Sequence, residues 1–146
     1  MARRYLQDFD KGAHSVYLLY YHLVCVTKYR RKVINDDVAK SIMECLDYSC
    51  REAGGKLVEF NGEPDHVHAL INMPPTVEMS KFIGQFKGRS SYNVRRDFSK
   101  QVNVGRDGVF WSPSYCLLTT GGAPIDVIKR YIQSQEGFAF ERDFKE

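Results

Sequence analysis

The stretch KLVEFNGEPDHVHALIN, residues 56–72, decides the fold. Two short runs suited to strands, Lys56 to Asn61 and His66 to Asn72, flank the turn-rich Asn61-Gly62-Glu63-Pro64, which predicts a hairpin. Side chains alternate faces along a strand, so His66, His68 and Leu70 share one face while Val67, Ala69 and Ile71 share the other. The apolar trio is expected to turn inward. The two imidazoles then emerge together on the opposite, open face of the sheet.

Helical patterns bracket this hairpin. Upstream, residues 14–27 (HSVYLLYYHLVCVT) are rich in β-branched and aromatic side chains on both alternating faces, as in a central strand covered on both sides. Asn35 or Asp36 can cap a helix with Val38, Ile42, Leu46 and Cys50 at helical spacing, and Gly54-Gly55 stops it. Downstream, Met73-Pro74-Pro75 ends the hairpin, and Met79, Phe82, Ile83, Phe86, Ser90 and Val94 form one helical stripe over 79–98. Residues 109–120 (VFWSPSYCLLTT) are the last strand, with Pro113 disturbing its start or placing it at an edge. Gly121-Gly122 is a hinge, and Pro124 and Asp126 suit the first turn of a final helix over about 124–136. The order β-α-β-β-α-β, then α, is the ferredoxin-like (RRM-like) α+β arrangement: an antiparallel sheet with two helices on one face and an added C-terminal helix.

At 146 residues, 43% hydrophobic and 27% charged, the chain suits one globular domain spanning 1–146. Cys25, Cys45, Cys50 and Cys116 form no CxxC pair and lie in apolar segments, which fits reduced core thiols and a cytoplasmic protein. The N-terminus MARRYLQDFD has no apolar leader region and no run approaches a membrane span, so neither export nor a membrane partner is expected. A net charge of +3 says little by itself. Its distribution says more, with one basic cluster at Lys28-Tyr29-Arg30-Arg31-Lys32 and a second on the helix carrying Lys81, Lys87, Arg89, Arg95 and Arg96.

An HxH pair alone admits a bland reading, two hydrogen-bonded or surface histidines, beside a metal or catalytic one. In Lys129-Arg130-Tyr131-Ile132-Gln133-Ser134-Gln135, Tyr131 and Gln135 lie one helical turn apart on a single face, which also fits a half-buried aromatic beside a solvated glutamine. Taken singly, these segments leave the choice open. Three features nevertheless coincide in order and spacing: the HUH motif His66-Val67-His68, the YxxxQ motif Tyr131 to Gln135, and the opening Tyr21-His22-Leu23-Val24 through Thr27-Lys28-Tyr29-Arg30-Arg31-Lys32-Val33. Together with FKGRSS (86–91), FWSPSYC (110–116) and TTGGAPIDVIKRYI, they closely resemble the HUH single-tyrosine transposases of small insertion sequences, the TnpA type of the IS200-like family. The resemblance runs over nearly the whole chain. Cys25 departs from it where the family often carries tryptophan, an apolar replacement outside the chemistry.

The resemblance implies that His66, His68 and Gln135 hold a divalent metal and that Tyr131 is the nucleophile on a DNA phosphate. Asp65 and Glu63 flank the site without matching a ligand position. Two imidazoles and an amide oxygen suit Mg²⁺ or Mn²⁺ and leave positions for phosphate and water. A tyrosine hydroxyl, with a pKa of about 10, needs such help. A phosphotyrosine keeps the phosphodiester energy for rejoining, which fits a chain with no P-loop and hence no nucleotide cofactor. The implied activity is cleavage and rejoining of single-stranded DNA at insertion-sequence ends through a 5′-phosphotyrosine. The family further implies a homodimer with composite sites, Tyr131 acting in trans. Hairpin-bearing ends would be bound by Lys28, Tyr29, Arg30, Arg31, Lys32, Lys87, Arg89, Arg95 and Arg96. Two rivals remain at this level: a non-catalytic RNA-recognition module, whose RNP1 pattern is missing, and a metal hydrolase using water.

Overall fold

The computed structural model describes residues 10–12, 14–105 and 107–119. A small hairpin pairs β1 (Asp10–Lys11) with β2 (Val16–Tyr17). The main sheet begins with β3 (Tyr20–Val26), which runs into a tight turn at Lys28–Arg30. Helix α1 (Asp36–Glu52), strands β4 (Lys56–Glu63) and β5 (His66–Asn72), helix α2 (Met79–Asp97), a short α3 (Ser99–Val102) and β6 (Cys116–Thr119) follow. The four-stranded sheet is antiparallel throughout, in the order β4-β5-β3-β6. This is the ferredoxin-like arrangement, with β3 and β5 central. The helix expected over about 124–136, with Tyr131 and Gln135, lies outside the described residues.

Local chemistry explains the element ends. Asn35 caps α1, its Oδ1 accepting from the Val38 N–H at 2.9 Å, while Asp36 and Asp37 complement the helix dipole. Gly54, at φ +87°, supplies the left-handed residue that ends the helix. Val38, Ile42 and Leu46 of α1 and Phe82, Ile83 and Phe86 of α2 bury against Leu23, Cys25, Val67, Ala69 and Ile71 of the sheet. Phe110 and Trp111 close this core edge to face, with ring centroids 4.7 Å apart. Burial pushes the Cys25 and Cys50 thiols up to about 12, which makes them inert core thiols.

Three boundaries differ from the sequence reading. The segment 14–27 is two strands, because β5 offers its last partner to Tyr20 at Asn72 and the chain beyond it turns into Pro74-Pro75; Val16 and Tyr17 pair with β1 instead. Asn61, Gly62 and Glu63 belong to β4, opposite His68, Val67 and His66, and only Pro64-Asp65 turns. Gly62 is therefore a packing glycine: a Cβ there would lie 2.8 Å from the Ala39 Cβ of α1. The last strand starts only at Cys116 because Pro113 cannot donate to the ladder; the Thr27–Trp111 bridge precedes the gap and regular pairing follows it through Thr119, with Thr120 outside the described residues. Finally, the face away from the helices is not fully open, since Val24, Val26 and Cys116 are buried there with Leu118 against them.

The Gly62–Ala39 approach makes a quantitative prediction. Gly62→Ala should cost about 1–3 kcal/mol by overpacking. Adding Ala39→Gly should return part of that loss despite its own helix penalty of about 1 kcal/mol. Urea titration of the two single variants and the double variant reads the coupling; strictly additive losses would contradict the close packing.

Candidate active site

The pairing of β3 with β5 places Val26 opposite His66, Val24 opposite His68 and His22 opposite Leu70. Paired residues of an antiparallel sheet share a face, so His66, His68 and His22 all stand on the side away from the helices. Glu63, Asn61 and Glu59 of β4 join them across the other ladder. The HxH pair is therefore placed together as the alternation predicted. His66, however, is only 2% exposed, although an open face was expected; it sits at the end of the sheet where the apolar Val24, Val26 and Cys116 are buried.

The surroundings of His66 are specific. Its Nδ1 lies 2.9 Å from Asp65 Oδ1, and Arg30 Nη2 donates to Asp65 Oδ2 at 3.0 Å. A carboxylate only accepts, so Nδ1 carries the proton. In the neutral ring Nε2 then holds the lone pair, and this buried atom has no hydrogen-bond partner among the described residues. An uncompensated buried nitrogen of this kind costs about 1–3 kcal/mol. A histidine whose one nitrogen is held by a carboxylate and whose other is bare has the form of a metal ligand. His68 titrates below the ordinary histidine value, first through burial and then through His66 and His22, with Glu63 and Glu59 opposing. Its neutral form, the one that binds cations, is thereby favoured. His22 is lowered likewise by burial, against Glu59. Among the described residues no three His, Cys, Asp or Glu side chains converge as a complete ligand set. Among the described residues the two imidazoles, with Asp65 and Arg30 behind them, are the side chains that could hold a cation.

The turn after β3 supplies that support. Thr27 Oγ1 makes a three-centre bond to the carbonyls of Arg31 (2.8 Å) and Asp65 (3.1 Å), and the Thr27 N–H donates to the Asp65 carbonyl at 3.0 Å. Tyr29 and Arg30 both adopt left-handed backbone, at φ 58° and 54°. For non-glycine residues this costs on the order of 1–2 kcal/mol each. The turn aims Arg30 at Asp65.

The predicted DNA-contacting residues do not form one patch. Lys28, Tyr29, Arg30, Arg31 and Lys32 cluster at this turn; Arg31 also donates to the Val104 carbonyl at 3.0 Å, and Lys28 pairs with Asp107 at 3.4 Å. Lys87 is bolted inward, donating to the carbonyls of Ser112 (2.6 Å) and Ser114 (3.3 Å), and burial lowers its pKa. Trp111 Nε1 donates to Ser90 at 2.9 Å, so FKGRSS and FWSPSYC meet as a clamp that leads the chain into β6. Arg89 and Arg96 line a cleft of about 640 Å³ between α1 and α2 with Tyr48 and Tyr92. That cleft is in the helical layer, away from the histidines, and its arginines are already paired with Glu52 and Asp97 at 3.1 and 2.8 Å. Arg95 bonds its own helix at the Ser91 carbonyl, 3.2 Å away.

The sequence offers Arg30 as a DNA contact and Asp65 as a flanking residue, but nothing local marks their pairing or the place of His22 beside the HxH pair. Their role depends on strand register and on a left-handed turn; the only available signal was the shared parity of His22 with Val24 and Val26.

A family model described as "Transposase IS200 like" matches residues 15–135. The chain is 31% identical over 128 residues to the ISDra2 transposase TnpA of Deinococcus radiodurans, covering 88% of this chain and 91% of that one. It is 29% identical over 109 residues to the transposase for insertion sequence element IS200 of Salmonella typhimurium, covering 75% and 72%. A crystal structure from D. radiodurans superimposes with a TM-score of 0.72 at 36% identity, covering 86% of this chain and 97% of that one. The structure of a REP-associated tyrosine transposase bound to a REP hairpin shares the fold, with a TM-score of 0.56 at 11% identity over 85% and 73% of the chains.

If the Asp65 carboxylate holds His66 for a cation, Asp65→Ala should weaken Mn²⁺ binding about 10- to 100-fold with the fold retained. Calorimetric titration of the folded variant measures this; unchanged affinity would remove Asp65 from the site.

Proposed function

The chain belongs to the IS200-like transposase family, and from that membership we propose that it cleaves and rejoins single-stranded DNA at insertion-sequence ends through a 5′-phosphotyrosine at Tyr131. The observation that carries the reading is the buried Nε2 of His66, unpartnered among the described residues, beside His68 and backed by Asp65 and Arg30. In this proposal His66, His68 and Gln135 hold a divalent cation, Mg²⁺ or Mn²⁺, whose chemistry is to polarise the scissile phosphate. Tyr131 Oη attacks phosphorus as its proton leaves, the P–O3′ bond breaks, and a 3′-hydroxyl departs. Attack by a 3′-hydroxyl on the phosphotyrosine reverses the step and joins a different strand. The protein's own part is to hold His66 in one tautomer, keep His68 neutral and position the phosphate.

The DNA partner proposed is a hairpin-bearing single strand. Its presence is suggested by the REP hairpin bound to the fold relative and by the basic turn at Lys28–Lys32 next to Asp65. We further propose one domain acting in the cytoplasm as a homodimer, with Tyr131 of one subunit serving the histidines of the other. Among the described residues no helix is long and apolar enough to cross a membrane.

Incubating the protein with labelled single-stranded DNA bearing its cognate end and Mn²⁺ should give a covalent band on a denaturing gel, absent in Tyr131→Phe. No adduct on a verified cognate end would overturn the reading. Mixing Tyr131→Phe with His66→Ala subunits should restore cleavage if the sites are composite, and inactivity of every mixture would exclude action in trans.

A further inference from the structure

We infer that Tyr29 is a fixed stacking platform for one base of the single strand beside the scissile phosphate, an inference that rests on the transposase reading above. Tyr29 is 65% exposed, although it belongs to a turn tied tightly on both sides. Its backbone lies at φ 58°, ψ 16°, and its neighbour Arg30 is also left-handed at φ 54°. Two consecutive non-glycine residues in this region are uncommon, and such strain survives only where the surroundings over-determine it. The surroundings here are explicit. The Lys28 N–H donates to the Phe110 carbonyl at 2.9 Å, the Arg30 N–H to the Thr27 carbonyl at 2.9 Å, and Thr27 is bonded to Asp65.

The strained pair performs two tasks at once. Arg30 turns inward to Asp65, 3.0 Å away, and Asp65 in turn meets His66 at 2.9 Å. Tyr29, one residue earlier, turns outward. The ring is therefore tied by a short, rigid path to the same carboxylate that orients a proposed ligand. Lys28 Nζ and Arg31 Cζ lie over the ring, 5.2 and 5.1 Å from its centroid, and the residue is still mostly exposed, so a base would stack by displacing one of these side chains toward its own phosphate. An exposed aromatic ring with two cations against it is the chemistry that receives an unpaired base and its phosphate. The helical layer carries similar pairs, Arg96 over Tyr92 at 5.4 Å and Arg89 over Tyr48 at 5.9 Å, but those arginines are paired with carboxylates and line a cleft away from the histidines, so Tyr29 is the ring tied to Asp65.

The experiment uses the full chain in EDTA, where binding proceeds without cleavage, and end-derived oligonucleotides carrying a single 2-aminopurine at successive positions around the cleavage site. Binding should quench one position flanking the scissile phosphate. Tyr29→Ala should abolish that quench and weaken binding roughly five- to hundredfold, and Tyr29→Phe should restore both. Tyr29→Gly adds a readout that a merely structural residue would not give: relief of left-handed strain should raise the melting temperature while binding weakens as in Tyr29→Ala. Undiminished quenching in Tyr29→Ala, or a lowered melting temperature in Tyr29→Gly, overturns the inference. The covalent-adduct assay on the unmodified protein separates the two claims. Adduct formation with Tyr29-independent quenching overturns the platform alone, whereas absence of adduct on a cognate end overturns the transposase reading.

Discussion

The pairing of β3 with β5 is the constraint from which the rest of the molecule follows. With Val24 opposite His68 and Val26 opposite His66, the apolar Val67, Ala69 and Ile71 fall on the helix side and both imidazoles on the other. A slip of one residue would exchange these sets, driving two histidines into the core and three apolar residues out of it. Burying the two large ones, Val67 and Ile71, favours the observed register by several kcal/mol, at about 1.5–3 kcal/mol for each. The geometry of the candidate site is thus enforced by core packing on the opposite face of the same strand.

The same register ends β3 where its continuation folds over the Pro64-Asp65 turn. Thr27 ties the two turns together, and the left-handed residues that follow deliver Arg30 to Asp65. Strain in the backbone is balanced by charge-assisted hydrogen bonds around one partly buried carboxylate. On the far side of β3, the Lys87 and Ser90 clamp steers residues 110–116 into β6 despite Pro113. Residues first attractive as phosphate contacts therefore divide. Lys87 and Arg31 are committed to backbone carbonyls, while the exposed turn at Tyr29 faces outward beside the histidines' support.

Much of this was legible in the sequence because periodicity reports directly on burial. The helix stripes from Val38 to Cys50 and from Met79 to Val94 appear as α1 and α2, and the parity of His66 and His68 placed them on one face. Gly62 misled, since a glycine reads as a turn whether it serves conformation or close packing against Ala39. The interruption of 14–27 was hidden because it depends on where a partner strand stops, and the burial of His66 because it depends on what the opposite face covers. His22 needed strand register, and the Arg30–Asp65 pair needed two turns 35 residues apart to meet.

The central claim is that Asp65 fixes His66 with the proton on Nδ1 and leaves Nε2 free for a cation. Long-range ¹H–¹⁵N correlation spectra of the imidazoles test it most directly. The expected result is a His66 ring protonated at Nδ1, with its Nε2 resonance broadened away by substoichiometric Mn²⁺. A ring protonated at Nε2, or an Nε2 signal untouched by the ion, would contradict it.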